Sequence, residues 1–175
     1  MNNYMQVVMD EVLEGLSSID NAQFEKMALN ISGTKNKIIG VAAGRMGYSL
    51  KGFIMRLSHL GYSAYMLGDT NLPRVNEGDL VIIGTSSGET PSIKLFAEQA
   101  KDHGAQVCVV TASPDSSIGS LADSILCYKN ITSKQLMKTY HEQLTWLLYD
   151  AMSMLIFKAA DKDRVFVENN HSILE

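Results

Sequence analysis

The sequence predicts an α/β fold: a doubly wound, five-stranded parallel sheet in flavodoxin-like order, with flanking N- and C-terminal helices. Three observations predict it. Short β-branched apolar runs such as Val81-Ile-Ile83 and Val107-Cys-Val-Val110 alternate with segments of helical period. The strands are continuously apolar and not alternating, as in a parallel sheet covered on both faces. Helix-stop glycines at Gly61 and Gly104 punctuate the units.

Along the chain, Met5, Val8, Met9, Val12, Leu13 and Leu16 form an i, i+3, i+4 stripe that predicts a helix from about Asn3 to Ser17. Asp20, with Gln23 three residues on, caps a second helix that Gly33 ends. Strands are expected at Lys37–Ala43, Ser63–Leu67, Leu80–Thr85, Gln106–Thr111 and Ser124–Tyr128. Helices are expected at Gly47–Leu60 and Pro91–Asp102, with a short helical piece near Ser117–Leu121. Ser133 reads as the cap of a long last helix running to about Lys158. Its stripe, with Leu144, Leu148 and Leu155, and that of the first helix are large for five strands, which points to association between subunits; ordinary packing within one chain is the other reading.

At 175 residues, one domain spanning 1–175 is the expectation. The net charge of -4, with no Lys/Arg cluster, argues against a nucleic-acid surface. No run of apolar residues reaches the ~18 a membrane span needs, and the start lacks signal-peptide character, so a cytoplasmic protein is expected. Cys108 and Cys127 lie in strand-like runs and read as buried, inert thiols. No His/Cys/Asp/Glu set has metal spacing, and Walker A, G-x-G-x-x-G and G-x-S-x-G patterns are absent.

The stretch from Val81 to Ser92 carries most information. A strand passes into Thr85-Ser-Ser-Gly-Glu-Thr90, and Pro91 suits the first position of the helix that follows. Four hydroxyls (Thr85, Ser86, Ser87, Thr90), flexible Gly88 and unpaired helix N-terminal amides meet there, which reads as a phosphate cradle. A Ser/Thr-rich turn that only caps its helix is the other reading. In flavodoxin-like order the first and third strands are neighbours, so this loop and Gly44-Arg45-Met46-Gly47 share one crevice. The Arg45 guanidinium suits phosphate or carboxylate; otherwise it is a surface arginine.

Together Ala43-Gly44-Arg45-x-Gly47 and Thr85-Ser-Ser-Gly-Glu-Thr90 resemble the sugar isomerase (SIS) domain family of phosphosugar-binding proteins. Further stretches, among them Arg56-Leu-x-His-Leu-Gly61, Glu142-Gln143 and His171-x-x-Leu-Glu175, resemble its 6-phospho-3-hexuloisomerase branch. The resemblance implies a homotetramer with active sites near subunit interfaces. It implies interconversion of 3-hexulose 6-phosphate and fructose 6-phosphate, in the ribulose monophosphate route of formaldehyde fixation, without metal or cofactor. It places phosphate on Thr85, Ser86, Ser87 and Thr90, puts Gly44, Arg45, Gly88 and His59 with the substrate, and makes Glu142 and His171 the proton-transfer candidates. Another ketose or aldose phosphate, or a non-catalytic phosphosugar-binding module, is the alternative. By residue type alone, Glu142 is a solvated carboxylate and His171 part of a polar tail, while His59 stabilises a helix C-terminus. For Glu142 to act, its helix face must meet a crevice, expected to be a neighbouring subunit's. His103 and His141 read as surface histidines. The chain departs from the family at Met46 (serine in the family), Ser86 (glycine) and Gln135-Leu-Met-Lys-Thr139 (Pro-Met-Gly before the glutamate).

Overall fold

The computed structural model describes residues 3–171; the end of the His171-x-x-Leu-Glu175 motif lies outside the described residues. Five strands, β1 (Ile38–Ala42), β2 (Ala64–Met66), β3 (Leu80–Thr85), β4 (Gln106–Thr111) and β5 (Ser124–Cys127), form one parallel sheet in the order β2-β1-β3-β4-β5. The expected strand order is therefore the observed one. β1 and β3 pair in register from Ile38 with Leu80 to Ala42 with Gly84.

The sheet is covered on both faces, as its apolar strands require. Alternate residues of each strand face opposite sides. Ile38, Leu80, Ile82, Cys108, Val110 and Leu126 pack under α2 (Asn21–Gly33), α3 (Met46–His59) and α5 (Thr139–Ala159). Ile39, Val41, Val81, Ile83, Val107 and Val109 pack under α4 (Pro91–Asp102) and the turn around Ile118. Helix α1 (Tyr4–Ser17) does not cover the sheet; it lies against α5. Gly15 makes that close approach possible, since a Cβ there would collide with Leu144 and Tyr140.

Local signals explain most boundaries. Asp20 caps α2 by accepting the Gln23 N–H at 2.8 Å. Gly61 (φ +90°) and Gly104 (φ +76°) close α3 and α4. Each supplies the left-handed residue of a paired terminal motif, with Tyr62 N–H on Leu57 O and Ala105 N–H on Ala100 O. Gly33 differs: it is the last residue of α2, its φ is not positive, and Thr34 is the cap.

Two expectations are corrected. Ser133 does not cap the last helix. Residues 129–138 run as an irregular strap, and α5 begins at Thr139, because Ser133 and its neighbours bond instead to Glu11 of α1 (Ser133 Oγ to Glu11 Oε2, 2.7 Å). A further helix, α6 (Arg164–Asn169), capped by Asp163, follows α5. Cys108 is buried, and burial pushes its thiol up to about 11. Cys127, at the last position of β5, is only half-buried. No described helix is long and apolar enough to cross a membrane.

Replacing Gly15 by alanine forces α1 away from α5. Thermal or denaturant unfolding of Gly15→Ala should show a loss of about 1–3 kcal/mol; unchanged stability would mean the two helices part freely.

Candidate active site

A crevice of about 560 Å³ opens at the carboxyl ends of β1 and β3. The loop after β1 supplies Gly44, Arg45 and Met46, and the loop after β3 supplies Thr85, Ser86, Ser87 and Thr90. The strap residues Leu136, Met137 and Lys138, with Thr139 and Glu142 of α5, form the opposite wall.

The β3 loop is held from beneath. Thr85 Oγ1 accepts the Gly88 N–H at 3.1 Å, and Ser113 Oγ donates to Ser86 O at 3.1 Å. The Ile118 N–H donates to Gly88 O at 3.0 Å, and Glu89 accepts the Ser117 N–H at 2.8 Å. Gly88 has φ +69°, and any Cβ there would collide with Ser116, so this position requires glycine. Thr90 occupies the N-cap position of α4, yet its hydroxyl makes no capping bond. The reading of this loop as a cap alone therefore fails for Thr90, whose hydroxyl is left for the crevice. Pro91 at the first helical position lacks an N–H, and the following N-terminal amides and the helix dipole favour an anion.

Facing the cradle, Arg45 Nη1 lies 3.0 Å from Glu142 Oε2 and donates to Thr139 Oγ1 at 3.2 Å. The carboxylate oxygen meets the guanidinium as an ion pair without hydrogen-bond alignment. The Glu142 side chain is 14% exposed and that of Arg45 66%, so the pair is open to substrate on the arginine side. Glu142 therefore reaches its own chain's crevice, not one that only a neighbour provides. The late start of α5 decides this. A helix beginning at Ser133 would put Glu142 in its third turn, whereas the observed helix puts it in the first, beside Arg45. A carboxylate there is also favoured by the helix dipole.

His141, expected on the surface, is buried at 5% exposure. Its ring packs on Tyr140 (centroids 4.9 Å apart) and Tyr128 (5.8 Å), and its Nδ1 has no hydrogen-bond partner. Burial, with a smaller contribution from the Lys138 charge, lowers its pKa to about 4. His103 is exposed, as expected.

His59 and His171 meet each other, with ring centroids 4.8 Å apart, and Asn170 Nδ2 donates to His59 O at 3.2 Å. Neither lines the crevice. Met46, at the start of α3, does; His59 ends that 14-residue helix, which at ~1.5 Å rise per residue puts it about 20 Å away. One chain alone does not bring these histidines to Arg45 and Glu142. Reasoning from sequence missed Lys138 and Thr139 as crevice residues. The departure at Gln135-Leu-Met-Lys was the available signal, and Met137 at φ 53° marks the same bend.

A second, larger groove of about 760 Å³ adjoins the crevice, sharing Arg45 and Glu142. It is bounded by α1, α3 and α5 and lined by Val12, Leu16 and Trp146. Met9, Leu13, Tyr48 and Leu147 beside it are exposed. Among the described residues, no group of three or more His, Cys, Asp or Glu is placed to hold a metal ion.

The SIS domain family matches residues 39–153, from β1 into α5, and so spans both loops of the crevice and Glu142. This chain belongs to the SIS domain family. It is 34% identical to a 3-hexulose-6-phosphate isomerase of Bacillus subtilis over 98% of this chain and 97% of that protein. It is 27% identical to a 3-hexulose-6-phosphate isomerase of Mycobacterium gastri, over 100% of this chain and 92% of the relative. Its fold superposes, with a TM-score of 0.87 and 26% identity, on the crystal structure of a Methanococcus jannaschii protein. That alignment covers 98% of this chain and 99% of the other, and the function inferred for that protein is 3-hexulose-6-phosphate isomerase. In this SIS domain the hydroxyl-bearing loop after β3 and the Arg45–Glu142 pair face each other across one crevice.

The neutral, buried His141 should make stability pH-dependent. Its folded pKa of about 4 lies below the ordinary 6.5, so between these values the unfolded chain binds a proton that the folded chain refuses. Stability is lost as pH falls through that window. Melting temperatures of His141→Leu should fall less between pH 7 and pH 5 than those of the parent; equal falls would place the cause elsewhere.

Proposed function

We propose that the protein is a phosphosugar isomerase of the 6-phospho-3-hexuloisomerase type, interconverting 3-hexulose 6-phosphate and fructose 6-phosphate. The observation that carries this reading is the placement of a carboxylate–guanidinium pair, Glu142 with Arg45, across one crevice from a hydroxyl-rich phosphate cradle. The 3-hexulose-6-phosphate isomerases to which the chain is similar over nearly its whole length support the choice of sugar.

In this reading the phosphate rests on the hydroxyls of Ser86, Ser87 and Thr90 and on the N-terminal amides of α4, with Thr85 and Gly88 shaping the loop. Phosphate binding far from the reacting carbons supplies orientation. Glu142 takes the proton from C2, and the electron pair forms the C2–C3 double bond as the C3 carbonyl oxygen gains a proton. The resulting enediol loses its O2 proton, the C2 carbonyl forms, and Glu142 returns a proton to C3. Arg45 stabilises the enediolate charge. His171, with His59 beside it, relays the oxygen-bound protons as a group supplied by a neighbouring subunit, since one chain holds them away from its own crevice.

The exposed apolar side chains on α1, α3 and α5 support the association this requires, with a homotetramer as the expected state. No step draws on a metal or cofactor. A second reading, an isomerase for another ketose or aldose phosphate, is favoured by the crevice wall, where Met46 and the stretch Gln135-Leu-Met-Lys-Thr139 depart from the serine and Pro-Met-Gly that the resemblance implies.

A coupled assay tests the reaction, with 3-hexulose 6-phosphate made in situ and fructose 6-phosphate read out through glucose-6-phosphate isomerase and dehydrogenase. Thr90→Val should raise KM about tenfold, the loss of one hydrogen bond to a charged group, with kcat little changed. Unaltered KM would remove Thr90 from the cradle. Glu142→Gln should bind fructose 6-phosphate and keep its assembly while kcat falls about 10²–10⁴-fold; normal turnover would place the base elsewhere.

A further inference from the structure

Helix α1 holds the strap beside the crevice at two places: Glu14 pairs with Lys129 at 2.6 Å, and Glu11 binds residues 133–135. The Glu11 side chain is held under the strap, with the residue 8% exposed. One carboxylate oxygen accepts the Lys134 N–H at 2.7 Å; the other accepts the Ser133 hydroxyl at 2.7 Å and Gln135 Nε2 at 3.1 Å. Three donors from three consecutive residues therefore converge on one carboxylate. Burial by itself raises the pKa of Glu11, but these hydrogen bonds, with the Lys134 charge, outweigh it and hold the carboxyl below its usual range. A charged acceptor of several N–H and O–H groups is among the stronger non-covalent ties a loop can have.

The next residues, Leu136, Met137 and Lys138, leave this tie and line the crevice. The first turn of α5 also holds their backbone, with the Thr139 hydroxyl on Leu136 O at 2.7 Å and the His141 N–H on Lys138 O at 3.0 Å, but their side chains stand open. Leu136 is 84% exposed and Met137 95%, and Met137 adopts φ 53°. Lys138 matters most for charge. Arg45 is already paired with Glu142, whereas Lys138 has no ion-pair partner among the described residues. The crevice therefore owes its net positive side-chain charge to a lysine on the strap.

We propose that Glu11 is a positioning residue for this site: its carboxylate fixes the strap so that Lys138 stands against the bound phosphosugar, making Lys138 a determinant of affinity. The inference rests on the phosphosugar reading for its ligand but not for the clamp itself. Glu11 touches no substrate; it acts through the backbone of Lys134 and the side chains of Ser133 and Gln135.

Two readouts test it on the full-length protein, one of them independent of turnover. Equilibrium binding of fructose 6-phosphate, together with KM and kcat, is measured for Glu11→Ala, Lys138→Ala, the double variant and Glu11→Gln. Glu11→Ala and Lys138→Ala should each raise Kd and KM about tenfold while kcat changes much less. The double variant should be no worse than either alone, because both remove the same contact. Glu11→Gln should recover most of the affinity, since its amide oxygen can still accept from Lys134 and its NH₂ can serve Ser133 and Gln135. Multiplying effects in the double variant, or parental affinity in Glu11→Ala, would overturn the proposal. In the second readout, trypsin should cut after Lys134 and Lys138 faster in Glu11→Ala than in the parent. Equal cleavage would overturn the clamp even if the parent bound no phosphosugar, an outcome that would by itself defeat only the functional reading.

Discussion

The parallel pairing of β1 with β3 is the constraint on which the rest depends. Because chain neighbours β1 and β2 lie side by side and β3 then joins the other edge of β1, the loops leaving β1 and β3 diverge to helices on opposite faces of the sheet. The gap they leave is the crevice. Register fixes its floor: Ala42 stands beside Gly84, and the Tyr149 hydroxyl comes close beneath Gly84. The hydroxyl-bearing loop and the arginine-bearing loop are thereby held a fixed distance apart by the most buried part of the molecule.

Around that rigid floor the walls differ in how they are secured. The wall after β3 is tied to the 113–118 segment by the Ile118 N–H on Gly88 O, the Ser113 hydroxyl on Ser86 O and the Ser117 N–H on the Glu89 carboxylate, and by a glycine that tolerates no side chain. The opposite wall carries an ion pair, Arg45 with Glu142, and a set of hydrogen bonds from the strap to the Glu11 carboxylate. An ion pair as exposed as Arg45–Glu142 is worth little to stability, on the order of 0–1 kcal/mol. The Glu11 tie is buried and multiply bonded, which suits it to holding backbone in place.

The paired histidines stand well away from the crevice within one chain. His59 and His171 lie beyond the far end of α3, against α6 and each other, while the apolar groove next to Arg45 and Glu142 remains uncovered within one chain. The family match from β1 into α5 covers the crevice and His59 but ends before His171.

The sequence by itself determined the strands, most of the helices and the hydroxyl-rich turn after β3, because these follow from local chemistry; the strand order was carried over from flavodoxin-like folds and is the one observed. β-branched runs can bury both faces, glycines at Gly61 and Gly104 end helices, and a hydroxyl-rich turn before Pro91 opens one. β3, α4 and β4 were legible to the residue for that reason. Tertiary structure alone decided where α5 begins, whether His141 is wet or dry, and which crevice Glu142 enters. Ser133 has the residue type of a helix cap, but a carboxylate 122 positions earlier in the chain claims its hydroxyl. His141 has no local signal of burial; its dry setting comes from Tyr128 and Tyr140, brought together by the packing of α5. These outcomes turn on contacts between residues far apart in sequence, which no periodicity or cap pattern encodes.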